Sequence, residues 1–334
     1  MNSMQRNDAF KLGLQSIKIY KIIILAVVLI ALISFPFISN SLFYIKLVTS
    51  MMIYGLLAMS LDFLLGYTGL LSFMHNAYLG ISAYIVGIFL INIAPEALWL
   101  AILIGFLGTT IIAVPVGWIQ VRTGGLAFAL LTIAFGMMFY TLVWKLEITG
   151  GSDGLMGVPL PDLKIIGFDF GNLGDPRTMY LFSLAVLVIC YIIAYRLVHS
   201  PFGAVLQAIR ENEERASFIG YNVHRYKFYG WLISCGLASI SGALFILYKG
   251  YIGPPTMTIF AGAGILMMVL LGGIRSLWGP IIGACIFIYI EDYISSLTVH
   301  WKTYVGLIVI LLVLFLPRGI AGLSSFMQRT VKGT

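Results

Sequence analysis

Long apolar stretches alternate with short polar segments along almost the whole chain. Ten of these stretches approach the roughly 20 residues that an α-helix needs to cross the hydrocarbon core of a bilayer. They lie at residues 22–38, 42–65, 70–91, 97–119, 125–145, 179–195, 228–248, 259–274, 279–297 and 303–317. They lack the strict apolar–polar alternation of a membrane β-barrel, and lipid offers no partners for free backbone groups. The pattern predicts an all-α, polytopic membrane protein with about ten transmembrane helices.

The same pattern divides the chain into three parts. A single transmembrane domain is expected at residues 22–317, between an N-terminal segment, 1–21, and a C-terminal tail, 318–334. Two hydrophilic segments interrupt the transmembrane domain. One is a loop rich in Gly, Pro and Asp at residues 146–178, and the other is a charged segment at residues 196–227.

The charged segment has the features of an organised helix. Ser200-Pro201 is typical of a helix start and Gly220 of a helix end, so we predict one helix of about 18 residues between them. Glu211 and Arg215 should form a favourable pair one turn apart on this helix. An interrupted apolar face is marked by Leu206, Ile209, Ala216 and Ile219. Such a helix suits contact with a soluble partner, and a solvated surface helix without a partner is the open alternative.

Composition and charge agree with a membrane protein and exclude a soluble enzyme. The chain is 60% apolar and only 10% charged, with a mean hydropathy of +1.01. Its net charge of +7 would suggest nucleic acid as a partner of a soluble protein. Here, with the N-terminus inside, fourteen of the 20 basic residues fall on the cytoplasmic side and six outside. This distribution follows the positive-inside rule, so we expect both termini in the cytoplasm, residues 196–227 inside, residues 146–178 outside, and no nucleic-acid partner.

Two predicted spans begin with residues that disfavour a helix. Gly66 to Gly80 mixes glycines with Ser72, His75 and Asn76, and Gly272 to Gly283 contains four glycines and a proline in the second half of the chain. Interruptions at matching places in two weakly related halves indicate a transport pathway, because non-helical backbone at depth must face protein or water. We therefore predict a pathway near Ser72, His75, Asn76, Gly272 and Gly273. The alternative is structural, with glycines for close packing and polar side chains for interhelical hydrogen bonds.

The sequence contains no evident energy source or catalytic site. It has no P-loop, no zinc-protease motif and no nucleophile elbow, and its three cysteines have no metal-ligand spacing. We therefore expect no catalytic, cofactor-binding or metal site. No carboxylate falls clearly at the middle of a span, which disfavours an ion-coupled secondary carrier of small organic solutes without excluding it. A transporter without its own motor but with an organised cytoplasmic helix suggests an importer driven by separate ATPases; a membrane scaffold is a further alternative.

At this point the motifs resemble those of a known family. They are Gly66-Tyr-Thr-Gly-Leu-Leu-Ser with His75 and Gly80, Thr132-Ile-Ala-Phe-Gly136, Thr149-Gly-Gly-Ser-Asp-Gly-Leu155, Ala208-Ile-Arg-Glu-Asn-Glu-Glu-Arg-Ala216 with Gly220-Tyr-Asn-Val, Leu271-Gly-Gly273, and Leu277-Trp-Gly-Pro280. Over nearly its whole length the chain resembles the LivM-like permease subunit of branched-chain amino acid ABC importers. Each motif alone is weak, but together they are specific.

The resemblance implies a set of partners and site residues. The partners would be a second, LivH-like permease, two cytoplasmic ABC ATPases that use ATP and Mg, an extracytoplasmic substrate-binding protein, a small-molecule substrate and the lipid of a bacterial plasma membrane. ATPase coupling would involve Ala208, Arg210, Glu211, Glu213, Glu214, Arg215 and Gly220. The outer mouth of the pathway would be formed by Thr149, Gly150, Gly151, Ser152 and Asp153. The substrate stays open, because similar permeases move urea, amides or aromatic acids.

Overall fold

The structure is a computed structural model that describes residues 27–39, 41–165, 168–315 and 319–322. The predicted N-terminal segment 1–21, the start of the first predicted span and most of the tail 318–334 lie outside the described residues. The helices are α1 Val27–Ile38, α2 Leu42–Asp62, α3 Asn76–Asn92, α4 Leu98–Gln120, α5 Gly125–Lys145, α6 Pro176–Val198, α7 Pro201–Glu211, α8 Glu213–Phe218, α9 Val223–Lys249, α10 Ile259–Gly272, α11 Trp278–Leu297 and α12 Trp301–Phe315. A π-helical turn, Phe63–Thr68, continues α2, and two short 3₁₀ turns occupy Glu147–Thr149 and Pro254–Met257.

The predicted class, an all-α polytopic membrane protein, is confirmed. Among the described residues, six helices are long and apolar enough to cross a membrane: α2 with its π-helical turn, α4, α5, α6, α9 and α11. Four shorter apolar helices, α1, α3, α10 and α12, overlap the other four predicted spans. One local element was not predicted: strands β1, Asp162–Ile165, and β2, Phe168–Asn172, pair antiparallel within the loop 146–178.

Contacts divide the chain into two units, Met1–Lys46 and Leu47–Thr334. In the second unit, α3, α4 and α9 pack together as the central helices. A Cβ on Gly242 of α9 would lie 2.2 Å from the carbonyl oxygen of Leu79, and one on Gly117 of α4 would lie 2.2 Å from the Trp231 ring. Glycines at these two positions therefore allow the close helix approach that stabilises membrane bundles without a hydrophobic driving force.

The polar loops gather at the two ends of α9, which is 27 residues long and so about 40 Å from end to end. At its first turn, Lys227 donates a hydrogen bond to Glu213 of α8. Beyond its last turn, the Gly250 carbonyl accepts a hydrogen bond from Val158 N (3.1 Å), within the 146–178 loop. The two hydrophilic segments predicted to face opposite sides of the membrane thus lie at opposite ends of the central helix.

Candidate functional site

The first predicted helix break is present. Residues 69–75 form no helix: the π-helical turn ends at Thr68, Gly69 adopts the left-handed conformation (φ 76°), and α3 begins only at Asn76. The predicted span 70–91 therefore starts before its helix, because its first residues, 70–75, are not helical. Ser72, His75 and Asn76 are each 1% exposed, so in this conformation they face the interior of this chain.

His75 joins this non-helical segment to two helices. Its Nε2 atom lies 3.1 Å from the hydroxyl oxygens of Ser60 in α2 and Ser234 in α9. Both hydroxyls already donate to backbone carbonyls, Ser60 to Leu57 and Ser234 to Ser60, each at 2.6 Å. They can then only accept from the ring, which puts the imidazole proton on Nε2. Nδ1 is left as a buried acceptor with no hydrogen-bond partner among the described residues.

Asn76 joins the start of α3 to the segment that precedes α10. Its Nδ2 atom donates to the carbonyls of Thr256 and Thr258, both at 2.9 Å. The Asn76 Oδ1 and Ser72 Oγ atoms are buried and, within the described ranges, have no hydrogen-bond partner. Residues 72–76 therefore carry three buried polar atoms able to bind water or a polar solute, since buried polar groups are normally paired.

Gly272 and Gly273 lie elsewhere. They end α10, a helix of 14 residues whose other end contacts Asn76, so about 20 Å separates the two predicted pathway clusters. A Cβ on Gly272 would lie 2.0 Å from the Gly279 carbonyl oxygen, and Gly273 has φ 100°. The structure shows that Gly272 permits the close packing of α10 on α11 and that Gly273 permits the turn after α10, and it does not bring either to His75.

The predicted single helix in the charged segment is wrong: there are two, α7 and α8. Ser200 caps α7 as predicted, accepting from Gly203 N. The helix then stops at Asn212, whose backbone is extended (φ −161°, ψ 106°) and whose side chain accepts from Arg215 N at 2.8 Å to begin α8. Asn favours such local bonds over helix continuation. The break also separates Glu211 from Arg215, and Glu211 lies instead 4.0 Å from Arg275.

Most of the predicted coupling residues form an exposed surface on α7 and α8, which we call the α7–α8 surface. The exposed members are Ala208, Glu211, Glu213, Glu214, Arg215 and Gly220. Val205, Ile209 and Ala216 form the small apolar core that holds the two helices together. Ile219, expected on the apolar face, is 71% exposed. Beside this surface is a groove of about 420 Å³, lined by Pro201, Phe202, Ala204, Val205, Ala208, Tyr221 and Tyr226.

Arg210 is the one predicted coupling residue that points into the protein. Its guanidinium donates to the Gly66 carbonyl in the π-helical turn. Burial lowers the pKa of Arg210, and the charge of Arg275 lowers it further, while Asp62 opposes the shift. Arg stays charged at neutral pH despite such shifts. The α7–α8 surface is therefore connected to the membrane helices by a charged hydrogen bond.

The predicted outer-mouth residues form a tight turn at the other end of α9. Thr149 is buried, and its hydroxyl donates to the carbonyls of Val143 and Leu146 at 2.6 and 2.7 Å. Gly150 and Gly151 have positive φ. Ser152 and Asp153 are exposed at the tip, 3.2 Å apart. Gly150 and this tip are therefore exposed and free to contact a solute or a partner.

The sequence did not assign a role to Asp62. It is fully buried at the end of α2, and its two carboxylate oxygens accept from the backbone of Arg275 (2.8 Å) and Leu277 (3.1 Å). Arg275 and Leu277 are the non-glycine residues with positive φ in the described part of the chain. A single carboxylate near the end of an apolar run was the available signal, but its partners lie 213 and 215 positions away.

Comparison with known proteins agrees with the motifs. The chain is 26% identical over 295 residues to the high-affinity branched-chain amino acid transport system permease protein LivM of Escherichia coli (strain K12), covering 83% of this chain and 69% of the relative. It is 26% identical over 319 residues to the protein of the same name in Salmonella typhimurium (strain LT2), covering 90% and 74%. It is also 26% identical over 170 residues to the probable branched-chain amino acid transport permease protein LivH of Methanocaldococcus jannaschii, covering 47% of this chain and 52% of the relative.

The family assignment extends over most of the fold. A model of the family described as "Branched-chain amino acid transport system / permease component" matches residues 43–316. This range contains the broken segment 69–75, the α7–α8 surface and the turn between α10 and α11, residues 273–277, which we call the α10–α11 turn. The chain therefore belongs to the branched-chain amino acid transport system permease family.

Proposed function

We propose that this permease forms half of the translocation pathway of an ATP-driven importer for branched-chain amino acids or related small polar solutes. Its partners would be a LivH-like permease, two cytoplasmic ABC ATPases and an extracytoplasmic substrate-binding protein, in a bacterial plasma membrane. The observation that carries the proposal is the family match over residues 43–316. It gives no support to an ion-coupled carrier.

In this proposal the chain crosses the membrane ten times, with both termini in the cytoplasm. The α7–α8 surface then faces the cytoplasm, where ATPases bind, and the turn at Thr149–Asp153 faces the binding protein. The separation of these two surfaces along α9 supports this arrangement. The basic residues of the α7–α8 end, including Arg210, Arg215 and Arg225, agree with a cytoplasmic location.

Transport would proceed by alternating access. The loaded binding protein docks outside, ATP closes the ATPase dimer, and the α7–α8 surface transmits that movement to the membrane helices. Substrate passes between the two permeases, and hydrolysis resets the complex. Within this chain, the buried polar atoms of Ser72, His75 and Asn76 would become available to the solute when the helices rearrange.

The direct test is reconstitution of the four predicted partners with this chain in proteoliposomes. We expect uptake of radiolabelled L-leucine that requires ATP and the binding protein, with urea and acetamide as comparison solutes. ATP-independent uptake driven by a proton or sodium gradient would contradict the proposal. Uptake of urea or acetamide in preference to leucine would keep the importer and correct its substrate.

The coupling surface has its own test. The double variant E211K/E214K reverses two exposed charges on α7 and α8. Loss of charge complementarity should weaken ATPase docking, most strongly at low salt, while the permease still inserts. The control is E96K, at an exposed position between α3 and α4. Normal substrate-stimulated ATP hydrolysis by the double variant would exclude the α7–α8 surface as the docking site.

A further inference from the structure

We infer that Asp62 is the positioning residue through which the α7–α8 surface controls the α10–α11 turn. This inference rests on the proposed ATPase coupling and adds a defined route by which movement would enter the membrane helices. It uses three structural links, each formed by named contacts: α7 to the π-helical turn, the π-helical turn to Asp62, and Asp62 to residues 273–277.

The first link is between α7 and the π-helical turn. The Arg210 guanidinium donates to the Gly66 carbonyl, and the Arg210 stem packs on Gly69, where a Cβ would lie 3.1 Å from Arg210 Cγ. π-helical turns inside α-helices are frequent at functional sites. The helix ends at Thr68, so the Gly66 carbonyl lies in its last turn, where carbonyls lack an intrahelical partner and can accept from a side chain. The last turn of α7 is therefore attached to the end of α2.

The second link lies within the π-helical turn. A Cβ on Gly66 would lie 2.5 Å from Asp62 Oδ1, so only glycine lets the Asp62 carboxylate occupy its position beside this turn. Asp62 is fully buried in an interior that is otherwise mainly apolar. The carboxylate thus lies directly against Gly66, whose carbonyl accepts from Arg210.

The third link is between Asp62 and the α10–α11 turn. One carboxylate oxygen accepts from Arg275 N and the other from Leu277 N, while the Tyr67 hydroxyl donates to the Arg275 carbonyl at 3.0 Å. Arg275 (φ 72°) and Leu277 (φ 49°) have backbone conformations that side-chain-bearing residues rarely adopt. Such a turn persists only when its surroundings hold it. Asp62 and Tyr67 supply that restraint.

Together the links form a continuous route to the broken segment. The α10–α11 turn follows α10, whose N-terminal end holds Asn76 through the Thr258 carbonyl. The exposed Glu211–Arg275 pair, at 4.0 Å, adds only a weak direct connection because both charges are solvated. A displacement of α7 would therefore act mainly through Gly66 and Asp62, and so reach the segment containing His75 and Asn76.

The test uses the assembled complex in nanodiscs with the variant D62N. Asparagine keeps the shape but presents an NH₂ group to one of the two backbone donors. We expect assembly and ATP hydrolysis to persist, and L-leucine uptake per ATP hydrolysed to fall about fivefold or more. E96Q, at an exposed carboxylate between α3 and α4, should leave the ratio unchanged. If the wild-type complex transports L-leucine and the D62N complex shows the same uptake per ATP hydrolysed, the inference is overturned and the proposed function is unaffected.

A second measurement separates transmission from folding. Spin labels at Ser217 and Ile274 report the distance between α8 and the turn, in a background lacking the native cysteines. In the wild type this distance should stay constant when ATP binds, because the turn follows α7. In D62N it should change with ATP. An equal response in both proteins would contradict the route through Asp62. If D62N does not assemble, G66A replaces it, because the new methyl group would displace the Asp62 carboxylate; an unaltered ratio and distance in G66A overturn the inference.

Discussion

Lys227, a buried lysine at the first turn of α9, donates a hydrogen bond to Glu213, the first residue of α8. The lysine side chain is 4% exposed and the glutamate side chain 56% exposed. The glutamate therefore neutralises a cation that solvent cannot reach, and it also fixes α8 against the membrane helices.

The variant E213Q should loosen α8, because it removes the charge that Lys227 requires. We expect the free energy that holds α8 in place to fall by about 1 kcal/mol. This is less than the cost of breaking a fully buried ion pair, because Glu213 is solvated. Amide exchange in residues 213–218 should then accelerate about fivefold. E214Q, at the adjacent exposed glutamate, is the matched control. Equal exchange in the two variants would show that the pair does not hold α8.

The predicted orientation can be measured with single cysteines in a background lacking Cys190, Cys235 and Cys285. Ser217 on α8 and Ser152 in the loop 146–178 are both exposed. An impermeant maleimide should label a cysteine at Ser217 only from the cytoplasmic side and one at Ser152 only from outside. Labelling of both from the same side would contradict the predicted arrangement of spans between them.

The variant H75L should assemble normally. Both serine hydroxyls that face His75 already donate to carbonyls, so its removal leaves no unpaired O–H group. The substitution should lower the stability of the helix packing by about 0.6 kcal/mol, the average for an interhelical hydrogen bond. If His75 serves the pathway, uptake should fall while ATP hydrolysis is partly retained. Full uptake by a well-assembled H75L complex would rule out the pathway assignment and leave His75 a structural role.

N76L is the informative companion variant. It removes the side-chain donor to the carbonyls of Thr256 and Thr258, although the Thr258 carbonyl keeps its bond from Gly262 N (3.1 Å), so it should reduce the yield of folded permease as well as transport. Size-exclusion chromatography in detergent measures the folded yield, and uptake is then expressed per folded complex. A yield equal to that of H75L would mean that the Asn76 bonds contribute little to the fold.

G272A should destabilise the packing of α10 on α11. The new methyl group would lie 2.0 Å from a backbone carbonyl, which cannot move aside without shifting a helix. Overpacking of this kind costs about 1–3 kcal/mol. G264A, on the same helix, is the matched control, since its nearest neighbours are the ring carbons of Phe287 at 3.8 and 3.9 Å. Comparable thermal stability of the two variants would contradict the close packing.

Features that depend on neighbouring residues could be predicted from the sequence. These are the cap at Ser200, the helix break before Asn76 and the glycines of the α10–α11 turn, since each acts within a few residues of its own position. The division at Asn212 was missed because one side-chain hydrogen bond to Arg215 N outweighed an otherwise continuous helical pattern. The role of Asp62 was missed for a different reason: its backbone partners are distant in sequence, and only tertiary packing brings them together.

The π-helical turn also makes the chain at the end of α2 tolerant of a change in length. Hydrogen bonds in such a turn span five residues, whereas those of an α-helix span four, so the turn accommodates extra chain. Deleting one residue, such as Leu65, would let Phe63–Thr68 close as ordinary α-helix. Because the deleted residue is the extra one that the turn holds, the chain beyond it would keep roughly its orientation relative to α2. A deletion within Leu42–Asp62 would instead rotate every later side chain about 100°, so a one-residue deletion in the π-helical turn should be the better tolerated of the two.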